Sequence, residues 1–303
     1  MLPIVFTDGV SLGPDHCVLV AELATEELEG EAQDFVANSV LLYLSDSKVQ
    51  RVIKLNCTVT GIAVSGGPER QLFVSSALGF IGRIISDHCV QESLEGTRKH
   101  GYIRDLRAIG STVYAAGMGR QIYRRTSRGN WIPIHEGVIN KPKHYLDVTG
   151  FESIDGVSED EIYAVGFNGE IWRYHEEKWQ KIDSPTNLTI ERVRATSSDV
   201  TYACGQKGVL LRGRGDAWDI VRHEETEDDF WGLEWFLGRL YLATHGELFT
   251  LNEQDELKRV DLGLPGLRTY SQLHAAEGAL WSFGAKHVAW TKDGETWHDV
   301  AIR

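Results

Sequence analysis

An all-β chain folded as a β-propeller of seven four-stranded blades, with six as the alternative, is predicted by two features. One is a repeat of about 40 residues, and the other is a set of apolar positions at fixed offsets inside each repeat. The clearest copy is EIYAVGFNGEIWRYHEEKWQKI, from Glu161 to Ile182. It reads as strands Ile162–Val165, Glu170–Tyr174 and Trp179–Ile182, joined by Gly166-Phe167-Asn168-Gly169 and His175-Glu176-Glu177-Lys178. Tyr, Val, Ile and Trp suit a pleated, half-buried surface, and Gly and Asn supply the positive φ that tight turns need. Such a unit needs copies of itself to bury its faces.

The copies align on Tyr163. The equivalent residues are Phe73, Tyr114, Tyr202, Tyr241 and Trp281, giving successive spacings of 41, 49, 39, 39 and 40. Ile81, Ile122, Ile171, Leu210, Leu248 and Val288 follow the anchors at seven or eight residues. Val90, Trp131, Trp179, Trp218, Leu257 and Trp297 follow at sixteen or seventeen. Leu106, Ile154, Val193, Leu233 and Leu273 precede most anchors by eight or nine. These positions define strands A to D of each blade, with the anchor on B. A β-sandwich does not repeat sequence at fixed offsets.

Blades two to seven run over residues 57–92, 102–135, 148–182, 189–222, 230–260 and 268–303 of a single domain, 1–303. Residues 1–56 form an irregular first blade, with strands expected at Leu2–Thr7, Cys17–Glu22, Ser39–Ser45 and Gln50–Asn56. An acidic insertion, 23–38, interrupts it as a helix or a solvated loop. With seven blades, the first packs on the last and no strand is exchanged. With six, the N-terminal strand completes the last blade.

The run Ile162-Tyr163-Ala164-Val165-Gly166, repeated as Thr201-Tyr202-Ala203-Cys204-Gly205, resembles bacterial propeller repeats of the photosystem-assembly-factor and BNR type. Thr291-Lys292-Asp293-Gly294-Glu295-Thr296-Trp297 resembles an Asp-box, one residue short of the usual spacing. The resemblance covers about residues 57–303. It implies the fold and leaves function open, because such propellers include enzymes, assembly factors and binding proteins. Asp293 is expected to brace its turn by accepting from nearby amides.

The formal net charge is −13. That disfavours general binding to a phosphate backbone, which needs Lys and Arg to displace counterions, and it steers a basic partner toward the chain. The N-terminus, MLPIVFTDGVSLGPDH, has no basic and apolar leader pattern, and no apolar run is long enough to span a bilayer. Cys17, Cys57, Cys89 and Cys204 lack C-x-x-C spacing and read as small hydrophobes of a cytoplasmic protein, with a disulfide or metal site as the minority reading. Asp15-His16-Cys17 and Asp87-His88-Cys89 share a tripeptide but fall on different strands of different blades.

Propeller topology puts the D–A and B–C loops on one face. Three D–A loops there stand out. His135–Asp147 is the long connection, locally basic and aromatic with Lys141, Lys143, His144 and Tyr145. Arg222–Trp231 carries Glu224, Glu225, Glu227, Asp228 and Asp229 before Phe230 and Trp231. Acidic residues beside large aromatics suit a protein interface; a calcium site lacks its D-x-D-x-D-G spacing. Asp261–Tyr270 places Arg268 and Tyr270 near the same rim. Each loop also reads as an ordinary solvated connection. His144, His245 and His287 sit where they approach the rim and read as structural histidines.

No catalytic residues are nominated. Arg104-Asp105 lacks the entry motif of a sialidase, and 44 acidic residues give no unique carboxylate pair. No G-x-S-x-G is present, and no cofactor or metal is expected. The expected function is a non-catalytic binding propeller that engages a basic protein through these loops, for example an immunity-type protein that covers the substrate site of a basic toxin. The alternatives are a propeller hydrolase or lyase acting on a sugar or small polar molecule, and an assembly factor. The sequence leaves the oligomeric state open.

Overall fold

The apolar positions that recur in the sequence become seven four-stranded antiparallel sheets, the blades of a β-propeller. The computed structural model describes residues 4–23, 38–66, 70–127, 129–140, 148–196, 200–300 and 302. Two compact units divide the chain: Met1–Thr58 with His223–Arg303, called unit 1, and Val59–Arg222, called unit 2.

Unit 1 holds blades one, six and seven. Blade one is β1 (Ile4–Gly13), β2 (His16–Leu23), β3 (Ser39–Ser45) and β4 (Lys48–Lys54). Unit 2 holds blades two to five. Blade two is β5 (Gly61–Val64), β6 (Leu72–Ser75), β7 (Phe80–Ile85) and β8 (His88–Ser93); blade three is β9 (Ile103–Ile109), β10 (Thr112–Gly117), β11 (Gln121–Arg125) and β12 (Trp131–Pro133). Blade four is β13 (Phe151–Ser158), β14 (Glu161–Gly166), β15 (Ile171–His175) and β16 (Lys178–Ile182); blade five is β17 (Ile190–Ala195), β18 (Thr201–Gly205), β19 (Leu210–Arg214) and β20 (Ala217–Ile220). Back in unit 1, blade six is β21 (Gly232–Phe236), β22 (Arg239–Ala243), β23 (Leu248–Leu251) and β24 (Leu257–Arg259). Blade seven is β25 (Gln272–Ala276), β26 (Ala279–Phe283), β27 (Val288–Thr291) and β28 (Trp297–Asp299).

Every sheet is built from its own segment, so the six-blade alternative is excluded: β1 pairs with β2 and not with the last blade. Blade seven meets blade one by packing and by hydrogen bonds. Phe6 N donates to Ala285 O at 3.0 Å, Ser11 N to His274 Nδ1 at 3.1 Å, and Trp281 Nε1 to Gly13 O at 3.0 Å. Strand β1 is longer than the expected Leu2–Thr7. Register shifts at Phe6/Asp8 and Ser11/Gly13 let it carry Thr7 and Leu12 as extra residues within a continuing ladder. Residues 24–37 of the acidic insertion lie outside the described residues.

Two glycines of the repeat have specific causes. A Cβ on Gly166 would lie 2.1 Å from Gly150 O. Gly169 has φ +70, and its Cβ would lie 2.1 Å from Thr186 O. Only glycine permits both the left-handed turn and that approach.

The aromatic pattern that repeats within each blade works between blades. Phe73 shares a buried cluster with Trp131 of the next blade, Tyr114 with Trp179, and Tyr163 with Trp218 in unit 2; Tyr241 does so with Trp297 in unit 1. Tyr163 and Trp218 meet edge to face, with centroids 5.6 Å apart.

Partly buried ion pairs add a second tie in unit 2. Glu92 accepts from Arg125 at 2.7 Å, Arg83 at 3.2 Å and Trp131 Nε1 at 2.8 Å. Burial pushes its carboxyl up, but the bonds from Arg125 and Trp131 and the two arginine charges outweigh this and hold it below the usual carboxylate range. A depressed carboxyl contributes stability that is present above its unfolded value, 4.5, and is lost as pH falls through the lower folded value. Glu92→Gln is therefore expected to lower the thermal midpoint at neutral pH, and the gap from wild type should close on acidification below that value. A gap that stays constant with pH would contradict this role.

Asp293 does brace its turn. Its Oδ1 accepts from Glu295 N at 2.9 Å, Thr296 N at 2.7 Å and Thr291 Oγ1 at 3.0 Å. The amides of Thr296 and Glu295 draw its carboxyl down to about 2.

Candidate protein-binding rim

In unit 1, three of the loops that precede A strands or join B to C come together. Phe230 anchors the first from beneath: it is fully buried, edge to face with Phe249 at 5.9 Å and tilted against His223 at 5.9 Å. Trp231 follows, with its N donating to Ala243 O at 2.8 Å, which fixes the loop to the end of β22. Its ring is half-buried and stacks on His245 at 5.2 Å with planes 25° apart.

His245 is exposed in the four-residue turn between β22 and β23. Thr244 shapes that turn. Its Oγ1 accepts from Gly246 N at 3.2 Å and Glu247 N at 3.0 Å, and its N donates to Glu247 O at 2.9 Å. His245 O in turn accepts from Tyr270 N at 3.0 Å. The loop before blade six, the inner turn of blade six and the loop before blade seven are thus joined through one histidine.

Glu224, Glu225, Glu227 and Asp228 are exposed on this rim, and Asp229 is half-buried. Asp228 N donates to Thr226 Oγ1 at 3.0 Å. Five carboxylates within six residues make a strongly negative strip whose mutual repulsion a cationic partner would relieve. The blade-seven side has the opposite sign. Arg268 and Lys286 are exposed; Arg268 N donates to His287 Nδ1 at 3.4 Å and Lys286 N to Thr269 Oγ1 at 3.2 Å. The rim therefore distinguishes the two ends of whatever lies across it.

Tyr270 is placed differently from the other rim residues. It is 8% exposed and packs under the rim with Tyr241, Leu273 and Trp297. Burial, with the charge of Asp261 added, pushes its phenol up. Its side chain supports the loop from below, and its amide makes the rim contact. Lys141, Lys143, His144 and Tyr145 lie outside the described residues. The stems of that loop are tied by Asn140, whose N donates to Gly119 O at 2.8 Å and whose Nδ2 donates to Thr149 Oγ1 at 2.9 Å. Sequence reasoning placed His245 near the rim but missed its joining role. The available signal was a histidine in an inner turn of the blade whose preceding loop supplies Trp231.

Arg104 and Asp105, the pair weighed for a sialidase-type site, and the nearby arginines Arg107 and Arg194 bond to blade four. Arg104 Nε donates to Glu152 at 3.0 Å, and Arg107 and Arg194 both reach Asp155 at 3.1 Å. Asp105 accepts from Ser153 Oγ at 3.0 Å and Ile154 N at 2.9 Å. Arg104 and Asp105 thus each bond to blade four, not to one another. Among the described residues, no group of three or more His, Cys, Asp or Glu is placed to hold a metal, and no helix is long and apolar enough to cross a membrane. No disulfide joins the four cysteines. Cys17 and Cys204 are buried, and burial pushes both thiols up; Cys57 and Cys89 are half-buried.

No family model matches the sequence. Immune protein Tsi7 of Pseudomonas aeruginosa is 41% identical over 197 residues, which is 65% of this chain and 63% of that protein. The match thus spans somewhat less than two thirds of the relative's length. Among solved structures, the WD40 β-propeller domain of Doa1 superposes with a TM-score of 0.68 at 10% identity, covering 95% of this chain and 92% of that one. Virginiamycin B lyase from Staphylococcus aureus gives 0.65 at 13%, covering 80% and 85%. YCF48 bound to a D1 peptide gives 0.64 at 14%, covering 95% and 91%. At these identities the structural likeness speaks for the β-propeller fold alone.

Proposed function

We propose that this chain is an immunity-type protein of the cytoplasm that binds a basic protein toxin and covers its substrate site. The observation that carries this reading is the 41% identity to an immune protein. The rim supports it. A rigid set of blades presents an aromatic contact, Trp231 on His245, beside Glu224, Glu225, Glu227, Asp228 and Asp229, with Arg268 at the far side. Aromatics anchor protein interfaces, and charges set approach and register. The cytoplasm keeps thiols reduced, in keeping with four cysteines that form no disulfide. The Asp293 turn supports kinship with Asp-box propellers, proposed for that turn alone.

Neither alternative gains from the lyase or assembly-factor neighbours, whose likeness is one of fold. The test is to capture the partner from the source cells and coexpress it with this chain. A basic, growth-arresting protein that coexpression renders harmless is expected.

A further inference from the structure

The two compact units differ sharply in charge. Unit 1 contains 24 Asp and Glu against 10 Lys and Arg; unit 2 contains 20 against 21. Unit 1 therefore carries −14 and unit 2 carries +1, which together make the −13 of the chain.

The ion pairs sharpen the contrast. In unit 2 several carboxylates are matched by nearby arginines, as Glu92 is by Arg83 and Arg125, Asp155 by Arg107 and Arg194, and Glu170 by Arg120. Matched pairs cancel within a few ångströms and project little field into solvent. Unit 1 has an excess of carboxylates over cations, and the strip Glu224–Asp228 lies exposed beside Trp231. Net charge, not paired charge, acts over the Debye length of about 8–10 Å at moderate salt and steers association.

We propose that unit 1 alone presents the docking surface for a basic protein, centred on the His223–Trp231 loop with Trp231 as its apolar contact, and that unit 2 takes no part in the attraction. This rests on the reading above that the partner is a basic protein. It adds where that partner docks, and it assigns the exposed acids of unit 2 no role in binding.

The test uses a fluorescein-labelled deca-arginine peptide, followed by anisotropy at low and moderate salt. Three variants of the full chain are compared: wild type, Glu224→Gln/Glu225→Gln/Glu227→Gln in unit 1, and Glu176→Gln/Glu177→Gln/Asp219→Asn in unit 2. All six positions are exposed, so both triple variants should keep the fold, and each removes the same charge. The unit 1 variant is expected to weaken binding about tenfold at low salt and the unit 2 variant less than about twofold, with both differences shrinking as salt rises. Equal losses, a larger loss from the unit 2 variant, or no binding by wild type would overturn the proposal. Its failure is distinguishable from failure of the functional reading. If coexpression protects but the peptide does not separate the variants, the partner docks elsewhere. If the peptide separates them but no toxin is neutralised, the surface exists without the immunity role.

Discussion

Replacing Trp231 by alanine is expected to weaken partner binding by about 2–4 kcal/mol, or roughly 30- to 1000-fold in Kd, with little change in thermal midpoint. The ring is half-buried and rests on His245, so its removal opens the rim's apolar contact and not the core. The backbone bond from residue 231 to Ala243 O survives the substitution, which keeps the loop in place. Titration calorimetry with the captured partner measures the loss, and a thermal melt checks the fold. Unchanged affinity would remove Trp231 from the interface.

Trp218→Ala is expected to cost about 3–5 kcal/mol, the range for emptying a large aromatic site in a core. Trp218 is 7% exposed and packs with Tyr163, Ile182 and Val193 where blade five meets blade four. Domains are stabilised by only about 5–15 kcal/mol, so this single change removes a large share. Denaturant unfolding should show an earlier midpoint at unchanged slope. A loss under about 1 kcal/mol, typical of a surface change, would mean that the aromatic pair does not join these blades.

Much of this was legible in the chain. The anchors from Phe73 to Trp281 define the blades because every repeat must place an apolar residue at the same point of the same strand. The Gly166 and Gly169 turn was readable for a steric reason. The partner of each anchor was less accessible. A repeat is read along one blade, whereas Tyr163 packs on Trp218, which belongs to the next. The ion pairs between blades were missed for a related reason. Arg104 with Glu152, and Arg107 with Asp155, are each 48 residues apart. That is close to the 49 between their anchors, so opposite charges one period apart were a usable signal.

The rim was legible in composition and not in exposure. The acidic strip and Trp231 fall where the loop order puts them. Tyr270, equally aromatic and equally close in sequence to a strand, turns inward because Tyr241 and Trp297 offer it an apolar site. The role of His245 depends on two loops 25 residues apart meeting at its carbonyl, which no local pattern encodes.

Coexpression with the protein captured from source cells at low and moderate salt tests the immunity role. One stoichiometric partner, more basic than this chain and released by salt, is expected. That partner should arrest growth when expressed alone and be harmless beside wild type. No partner at either salt, or a partner whose toxicity this chain leaves unchanged, would contradict that role.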